Sequence, residues 1–207
     1  MLKRLLKSLA ASVFSEWRVN WILASPPTTA GASARDELAG APLAEADAAA
    51  LDRSPTHKVR NSLSYTRKGL EGRVLLLGSQ IVAVAHFAAL GGYEFGSIWP
   101  LAAEQLALVD IVTEERFRGR GYAARLIREA CDHYKKLGID SLLAFIWWTN
   151  GPSLRAFRKA GWTRIGLSVE VRVRSLWLRV RIPLRRGRRE TRPLASDPNL
   201  ASLPAHD

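Results

Sequence analysis

The sequence predicts a mixed α/β fold, a largely antiparallel central sheet flanked by helices. Three observations carry that expectation. Short aliphatic runs at residues 74–77, 81–85, 106–113 and 141–148 read as strands. Apolar residues recur at helical spacing over residues 123–137, and a second helix is marked at 151–160. From Trp162 onward Val169, Val171 and Val173 alternate with Glu170, Arg172 and Arg174, as in half-exposed antiparallel strands.

In order along the chain, residues 2–14 carry Leu2, Leu5, Leu6, Leu9 and Val13 on one helical stripe, with Lys3, Arg4 and Lys7 elsewhere. This is a basic amphipathic helix, suited to an anionic membrane surface or to docking on its own domain. Trp17, Val19, Trp21 and Leu23 alternate as in a first strand. Residues 26–34 have linker composition, 41–51 are alanine-rich and helix-prone, and 57–68 are polar with no clear period. Residues 74–77 and 81–85 form a hairpin closed by Gly78-Ser79. An irregular section at 88–103 carries Tyr93, Phe95 and Trp99, placed either to line a substrate site or to pack as a lid. Gly138 ends the long helix, and Asn150-Gly151-Pro152-Ser153 supplies a cap and a first-turn proline for the next. Leu176, Leu178, Val180 and Ile182 then alternate with Trp177, Arg179 and Arg181, which makes the arginines the solvated face of an edge strand. Residues 193–207 have the composition of a disordered tail.

Composition narrows the function classes. The 207 residues allow one domain with extensions, and 47% hydrophobic content with seven tryptophans argues for a folded core. The net charge of +12 points to polyanions, anionic lipid or a phosphorylated ligand. A single cysteine, Cys131, excludes an internal disulfide, and no run of about 18 apolar residues is present to span a membrane. We therefore expect a cytoplasmic protein, peripheral at an anionic membrane through its basic ends. No metal-ligand spacing appears, so no metal is expected.

The most informative stretch is 106–137. A buried strand leads through Arg118-Gly119-Arg120-Gly121-Tyr122-Ala123 into a helix whose apolar face is Leu126, Ile127, Ala130, Cys131, Tyr134 and Leu137. Glycines let several backbone N–H groups converge, and the helix dipole adds positive potential, so the turn suits a phosphate. It is not a Walker loop, because Tyr122-Ala123 replaces Lys-Ser/Thr. Nor is it a dinucleotide fingerprint, which needs a third glycine and a later acidic residue.

Arg118-x-x-Gly121-x-Ala123 resembles the acetyl-CoA loop of the GCN5-related N-acetyltransferase (GNAT) family. Arg116-x-x-Gly119-x-Gly121 also fits, and the position of Leu126 selects the later register. Asn150-x-x-Ser153-x-x-x-Phe157-x-x-x-Gly161-Trp162 resembles that family's second motif, in the right order and one strand later. The resemblance covers residues 73–182. It implies an N-acetyltransferase that uses acetyl-CoA as cosubstrate on a primary amine: an amino sugar, a small metabolite or a protein amine. It implies cofactor contacts from Ile111, Val112 and Thr113 to the pantetheine arm and thioester, and from Arg118, Gly119, Arg120, Gly121, Tyr122 and Ala123 to the pyrophosphate. Asn150 and Ser153 would assist. On this reading residues 1–25 hold the basic helix and first strand, 26–72 a linker and helical part, 73–184 the acetyltransferase core, and 185–207 a basic then disordered tail.

Two departures stand out. Phe157 occupies the position of the family's tyrosine acid and cannot donate a proton. The general base is open: Asp110 is a candidate whose alternation with Val109 and Ile111 turns it away from them, Glu104 and Glu170 are weaker, and His86 reads as a hydrogen-bonded core residue. His57, His133 and His206 have no evident partners. A catalytically silent CoA-binding domain is thus the alternative, and a nucleic-acid-binding protein a more remote one. The latter would rest on the nine arginines of 171–192, four of which alternate with aliphatic residues and read as the solvated face of strands.

Overall fold

The computed structural model describes residues 14–26, 38–92, 99–173 and 176–184. Of the amphipathic helix expected at 2–14, residues 2–13 fall outside the described residues, as do most of the 26–34 linker, Tyr93, Phe95 and the tail from 185, while Phe14 opens a strand. Eight strands form one sheet: β1 Phe14–Ala24, β2 Leu38–Pro42, β3 Glu71–Leu77, β4 Gln80–Ala88, β5 Gln105–Thr113, β6 Ser141–Trp147, β7 Thr163–Val173 and β8 Leu176–Pro183. Among the described residues four α-helices accompany them: α1 Glu45–Asp52, α2 His57–Arg67, α3 Tyr122–Lys136 and α4 Gly151–Lys159. The strand order is β2-β3-β4-β5-β6-β1-β7-β8. Only β5 and β6 run parallel; every other neighbouring pair is antiparallel. This is the mixed, largely antiparallel sheet with flanking helices that the sequence predicts.

The helices sort by the apolar faces they must bury. On one side, α3 sets Leu126, Ile127, Ala130, Cys131 and Tyr134 against Leu75, Phe87, Leu108, Leu142 and Ala144 of the sheet, joined by Phe157 and Trp162. On the other, Leu51 of α1 and Val59 and Leu63 of α2 pack on Val74 and Val84. Burial pushes the Cys131 thiol up to about 11, so it is a packing residue and not a nucleophile. Among the described residues no helix is long and apolar enough to cross a membrane.

Several expectations are revised. The polar stretch 57–68 is a helix, because Val59 and Leu63 one turn apart dock it, with Ser62 buried beside them and Thr66 hydrogen-bonded to His86, while the opposite face meets water. The sheet also extends beyond the core expected at 73–184, since β1 and β2 both lie within it. In β8 the aliphatic row is the exposed one, with Leu178 and Val180 each at 57% exposure. Arg179 turns inward instead, because the buried carboxylate of Glu170 on β7 accepts a hydrogen bond from its Nε. A buried carboxylate without such a partner would be costly, and that requirement overrides the alternation.

Strand β1 sits between β6 and β7 and pairs with both, from Asn20↔Trp147 to Ala24↔Leu143 on one edge and from Phe14↔Val173 to Ala24↔Thr163 on the other. Its Ile22 and Leu23 are almost fully buried. Burying each such side chain contributes about 1.5–3 kcal/mol, against a typical total stability of about 5–15 kcal/mol. Deleting residues 1–24 should therefore leave no cooperative unfolding transition, whereas deletion of residues 2–12, ahead of the strand, should keep one. Circular dichroism melting of the two truncations checks this.

Candidate active site

The site is built where the parallel pair comes apart. β5 and β6 are in register from Gln105↔Ser141 to Leu108↔Ala144, and their pairing stops there. Beyond that point β5 stays with β4, as in Ile111↔Ala85 and Val112↔Val84, while β6 stays with β1, as in Ile146↔Trp21 and Trp147↔Asn20. The facing edges of residues 109–113 and 145–147 are thus free of each other. A cleft of about 600 Å³ opens between them, lined by Asn20, Lys58, Asp110, Trp147, Asn150 and Phe157 among others. Backbone polar groups on such an edge need partners, so the opening is a built-in acceptor of an extended polar ligand.

A β-bulge places Asp110. The register slips between His86↔Asp110 and Phe87↔Leu108, leaving Val109 as an extra residue in β5. Val109 packs in the cluster that holds Trp99, Leu101 and Phe145. Asp110 lies opposite His86, on the side covered by α2. Strict alternation would have set Asp110 away from Val109; the bulge interrupts it and turns the carboxylate into the cleft. Burial raises its pKa from 3.8 to about 6, opposed by a backbone hydrogen bond from Ile111 and by the nearby Lys58 charge.

The other candidates for a base fall elsewhere. His86 is fully buried, hydrogen-bonded to Thr66 at 2.9 Å and pushed down to about 4 by burial, so it is a neutral core residue. Glu170 is held by Arg179, and Glu104 is exposed and does not line the cleft. His57 is exposed at the start of α2, with Asn61 as its neighbour at 3.4 Å, and His133 lies on α3. Trp99 is part of the sheet packing, its ring so close to Gly166 that a Cβ there would meet it at 2.6 Å.

At its far end the cleft meets a second hollow of about 340 Å³ at the start of α3. Gly119 and Gly121 turn the chain with φ of +80° and +86°, a region that L side chains rarely enter. Gly121 is the N-cap of α3, and no acidic residue stands in that helix's first turn. Thr113, Arg118, Gly119, Gly121, Tyr122 and Ala123 line the hollow with Ser153, Arg155 and Lys159 of α4. Arg118 is half-exposed, braced by Glu115 at 3.0 Å and by a hydrogen bond from its Nε to the Thr113 carbonyl. Arg120 does not line the hollow; its guanidinium sits over the Phe117 ring. Glycine backbone, a helix N-terminus and three cations in one concavity fit a pyrophosphate.

The two motifs meet in space. Asn150 caps α4 by accepting a hydrogen bond from the Ser153 N–H, and both residues line the cleft. Phe157, two turns on, is 2% exposed, stands edge-on to Trp162 at 4.7 Å and closes the cleft floor. Sequence reading did not single out Asn20, Lys58, Trp147, Arg155 or Lys159. Arg155 and Lys159 could have been found, since i,i+4 spacing after Asn150 puts them on one helix face. Trp17 and Trp148 extend the aromatic rim, 6.1 Å apart, with Trp147 6.4 Å from Trp17.

A split parallel strand pair ending in a glycine-cornered anion pocket is an arrangement suited to a long, phosphate-bearing ligand laid along the sheet edge. The comparisons with known proteins are specific about the class. The acetyltransferase (GNAT) family model matches residues 49–162, more than half of the chain, and the chain belongs to that family. A Bacillus subtilis (strain 168) protein named "Putative phosphinothricin acetyltransferase YwnH" is 42% identical over 66 residues. That match spans 32% of this chain and 40% of the relative, well under half of its length. Among solved structures, a GNAT-family acetyltransferase from Colwellia psychrerythraea superposes with a TM-score of 0.54 at 14% identity, over 82% of this chain and 61% of that one. The aminoglycoside acetyltransferase AAC(6')-Ib in complex with coenzyme A gives 0.51 at 16% identity, over 70% and 92%. At those identities the structural matches establish the fold.

Proposed function

We propose that this protein is an acetyl-CoA-dependent N-acetyltransferase acting on a primary amine. The observation that carries the reading is the parting of β5 and β6 after Leu108 and Ala144, with Asp110 on the opened wall and the cationic hollow at its end. Backbone groups of Ile111, Val112 and Thr113 would take the pantetheine arm, and Arg118, Gly119, Gly121, Arg155 and Lys159 the pyrophosphate. A fixed N–H on the β5 edge stabilises the oxyanion that forms as the amine nitrogen attacks the thioester carbonyl.

Asp110 is the base of this reading. With a pKa near 6 it is ionised at neutral pH yet basic enough to take a proton from an incoming ammonium. The C–N bond then forms and the C–S bond breaks; the nitrogen gives up its second proton to solvent water, and the thiolate takes its proton from water, because Phe157 offers none. Lys58 in the same cleft favours an acceptor that carries an anionic group beside its amine. Release of free CoA on addition of amines from several classes, corrected for hydrolysis, tests the activity and names the acceptor.

One observation favours a silent CoA-binding domain instead: the packed, hydroxyl-free Phe157. The two readings part on Phe157→Tyr. In an enzyme limited by thiolate departure the added hydroxyl should raise the single-turnover rate by about 100-fold, the lower end of what a positioned acid supplies. Binding should change little, because the new interaction forms mainly in the transition state. No transfer by either protein, with acetyl-CoA bound to both, would favour the silent domain.

A further inference from the structure

A second cavity, of about 360 Å³, lies between α1, the start of α2, the β3–β4 hairpin and the end of β5. It shares no lining residue with the phosphate hollow, and its polar end lies apart from the cleft. Leu51, Val59, Val82 and Val84 give it one aliphatic side, and Ser54, Ser79, Gln80 and Glu114 make the rest polar. At its polar end is the Glu114 carboxylate, 6% exposed. Ser54 Oγ donates to Glu114 Oε1 at 2.7 Å, while the buried Oε2 has no hydrogen-bond partner among the described residues. The exposed side chains of Arg53 and Arg116 also line the cavity.

We propose that this cavity binds a small zwitterion, a molecule carrying a protonated amine and a carboxylate. A buried carboxyl oxygen without a partner requires a donor, and a protonated amine is the strongest small one. The two guanidinium groups then call for an anion on the same molecule, and the aliphatic wall for a short hydrocarbon body between them. The volume is at the lower end of the range for ligand pockets, which suits an amino acid and not a nucleotide.

The site is also placed to regulate. Glu114 leads directly into the turn Glu115–Phe117 that delivers Arg118 to the phosphate hollow. The Glu115 N–H donates to Thr56 Oγ1 at 3.2 Å, and the Thr56 N–H donates to Ser54 Oγ at 3.0 Å, so the α1–α2 connection and the phosphate loop are tied through the cavity wall. Zwitterion binding should therefore shift the acetyl-CoA dissociation constant, measured by titration with and without the zwitterion, and by linkage acetyl-CoA should shift zwitterion affinity by the same factor.

The test is calorimetric titration of the full chain with γ-aminobutyrate, L-leucine and L-glutamate, using butylamine and butyrate as single-charge controls. At least one zwitterion should bind one per chain, with neither control binding. Glu114→Gln and, as a surface change that leaves folding intact, Arg53→Ser should each weaken that binding by at least tenfold. Arg53→Ser should bind acetyl-CoA as the wild type does, and Asp110→Asn should bind the zwitterion as the wild type does. The proposal is overturned if no zwitterion binds, if either control binds equally well, or if binding survives both variants. Loss of binding in Asp110→Asn alone would also overturn it, by placing the ligand in the acceptor cleft.

Discussion

Replacing Asp110 by asparagine should make the protein more stable above pH 6 and, in the same molecule, almost inactive. The carboxyl ionises near pH 3.8 when free in water and near 6 in the fold. Protonation is thus favoured by folding, and the associated stability is fully present below pH 3.8 and lost as pH rises through 6. At pH 7 the buried negative charge costs about 2 kcal/mol, a tenfold change in proton affinity being worth about 1.4 kcal/mol and water still reaching part of the group. Asparagine removes the charge at every pH. Melting temperatures of the two proteins should coincide near pH 3.5, diverge between pH 4 and 6 and stay apart above. Turnover should fall by about 10²–10⁴, the range for a lost general base, and the acid limb of kcat/KM near pH 6 should vanish. A destabilised variant, or a rate that keeps its pH dependence, would assign the proton transfer to another group.

Gly121→Val should abolish the thermal stabilisation by acetyl-CoA. In the wild type, ligand at about 100 times its dissociation constant adds about 2.7 kcal/mol. Valine at Gly121 must hold φ near +86°, at a cost of about 1–3 kcal/mol for a non-glycine residue. Its Cβ would meet no protein atom within 4 Å and would project into space on the wall of the phosphate hollow. The packing therefore tolerates the side chain while the ligand does not. Gly138→Val makes the matched control. That glycine, just beyond α3, has φ +85° and equal free space but lines neither the hollow nor the cleft. Both variants should lose similar stability without ligand, and only Gly138→Val should recover it when acetyl-CoA is added. Equal recovery in both would remove Gly121 from the cofactor site.

What the chain reveals in one dimension is what its neighbours in sequence decide. The phosphate loop is local: two glycines that must sit at positive φ, a helix whose apolar spacing begins at Leu126, and an Asn150 cap three residues before Ser153. All are legible without knowing what lies across the sheet. Helix α2 is not, because only Val59 and Leu63 betray its buried side and its polar Ser62, 1% exposed, is satisfied by the Val59 carbonyl of its own helix. The direction of Asp110 depends on a slip against β4 that no pattern within β5 records. Lys58 and Asn20 reach the cleft from elements far away in sequence, so their membership follows from the docking of α2 and from strand order. Glu170 and Arg179 show the same limit in reverse: their pairing inverts the faces that alternation suggests for β8.

The position of β1 has a temporal consequence. Residues 14–24 leave the ribosome well before their hydrogen-bonding partners, residues 143–147 and 163–173. At about 5–20 residues per second, the strand waits roughly 10–30 s for the second of them. Until then the tryptophan-bearing strand is unpaired and its aliphatic side chains are open to other contacts. The same interval delays the cleft, since β6 is drawn away from β5 by β1 and Asn20 lines the opening. Pairings this distant in sequence slow the final folding step. The binding site is therefore assembled only once β1 has met β6 and β7, so a nascent or C-terminally clipped chain carries the phosphate loop with no cleft to feed it.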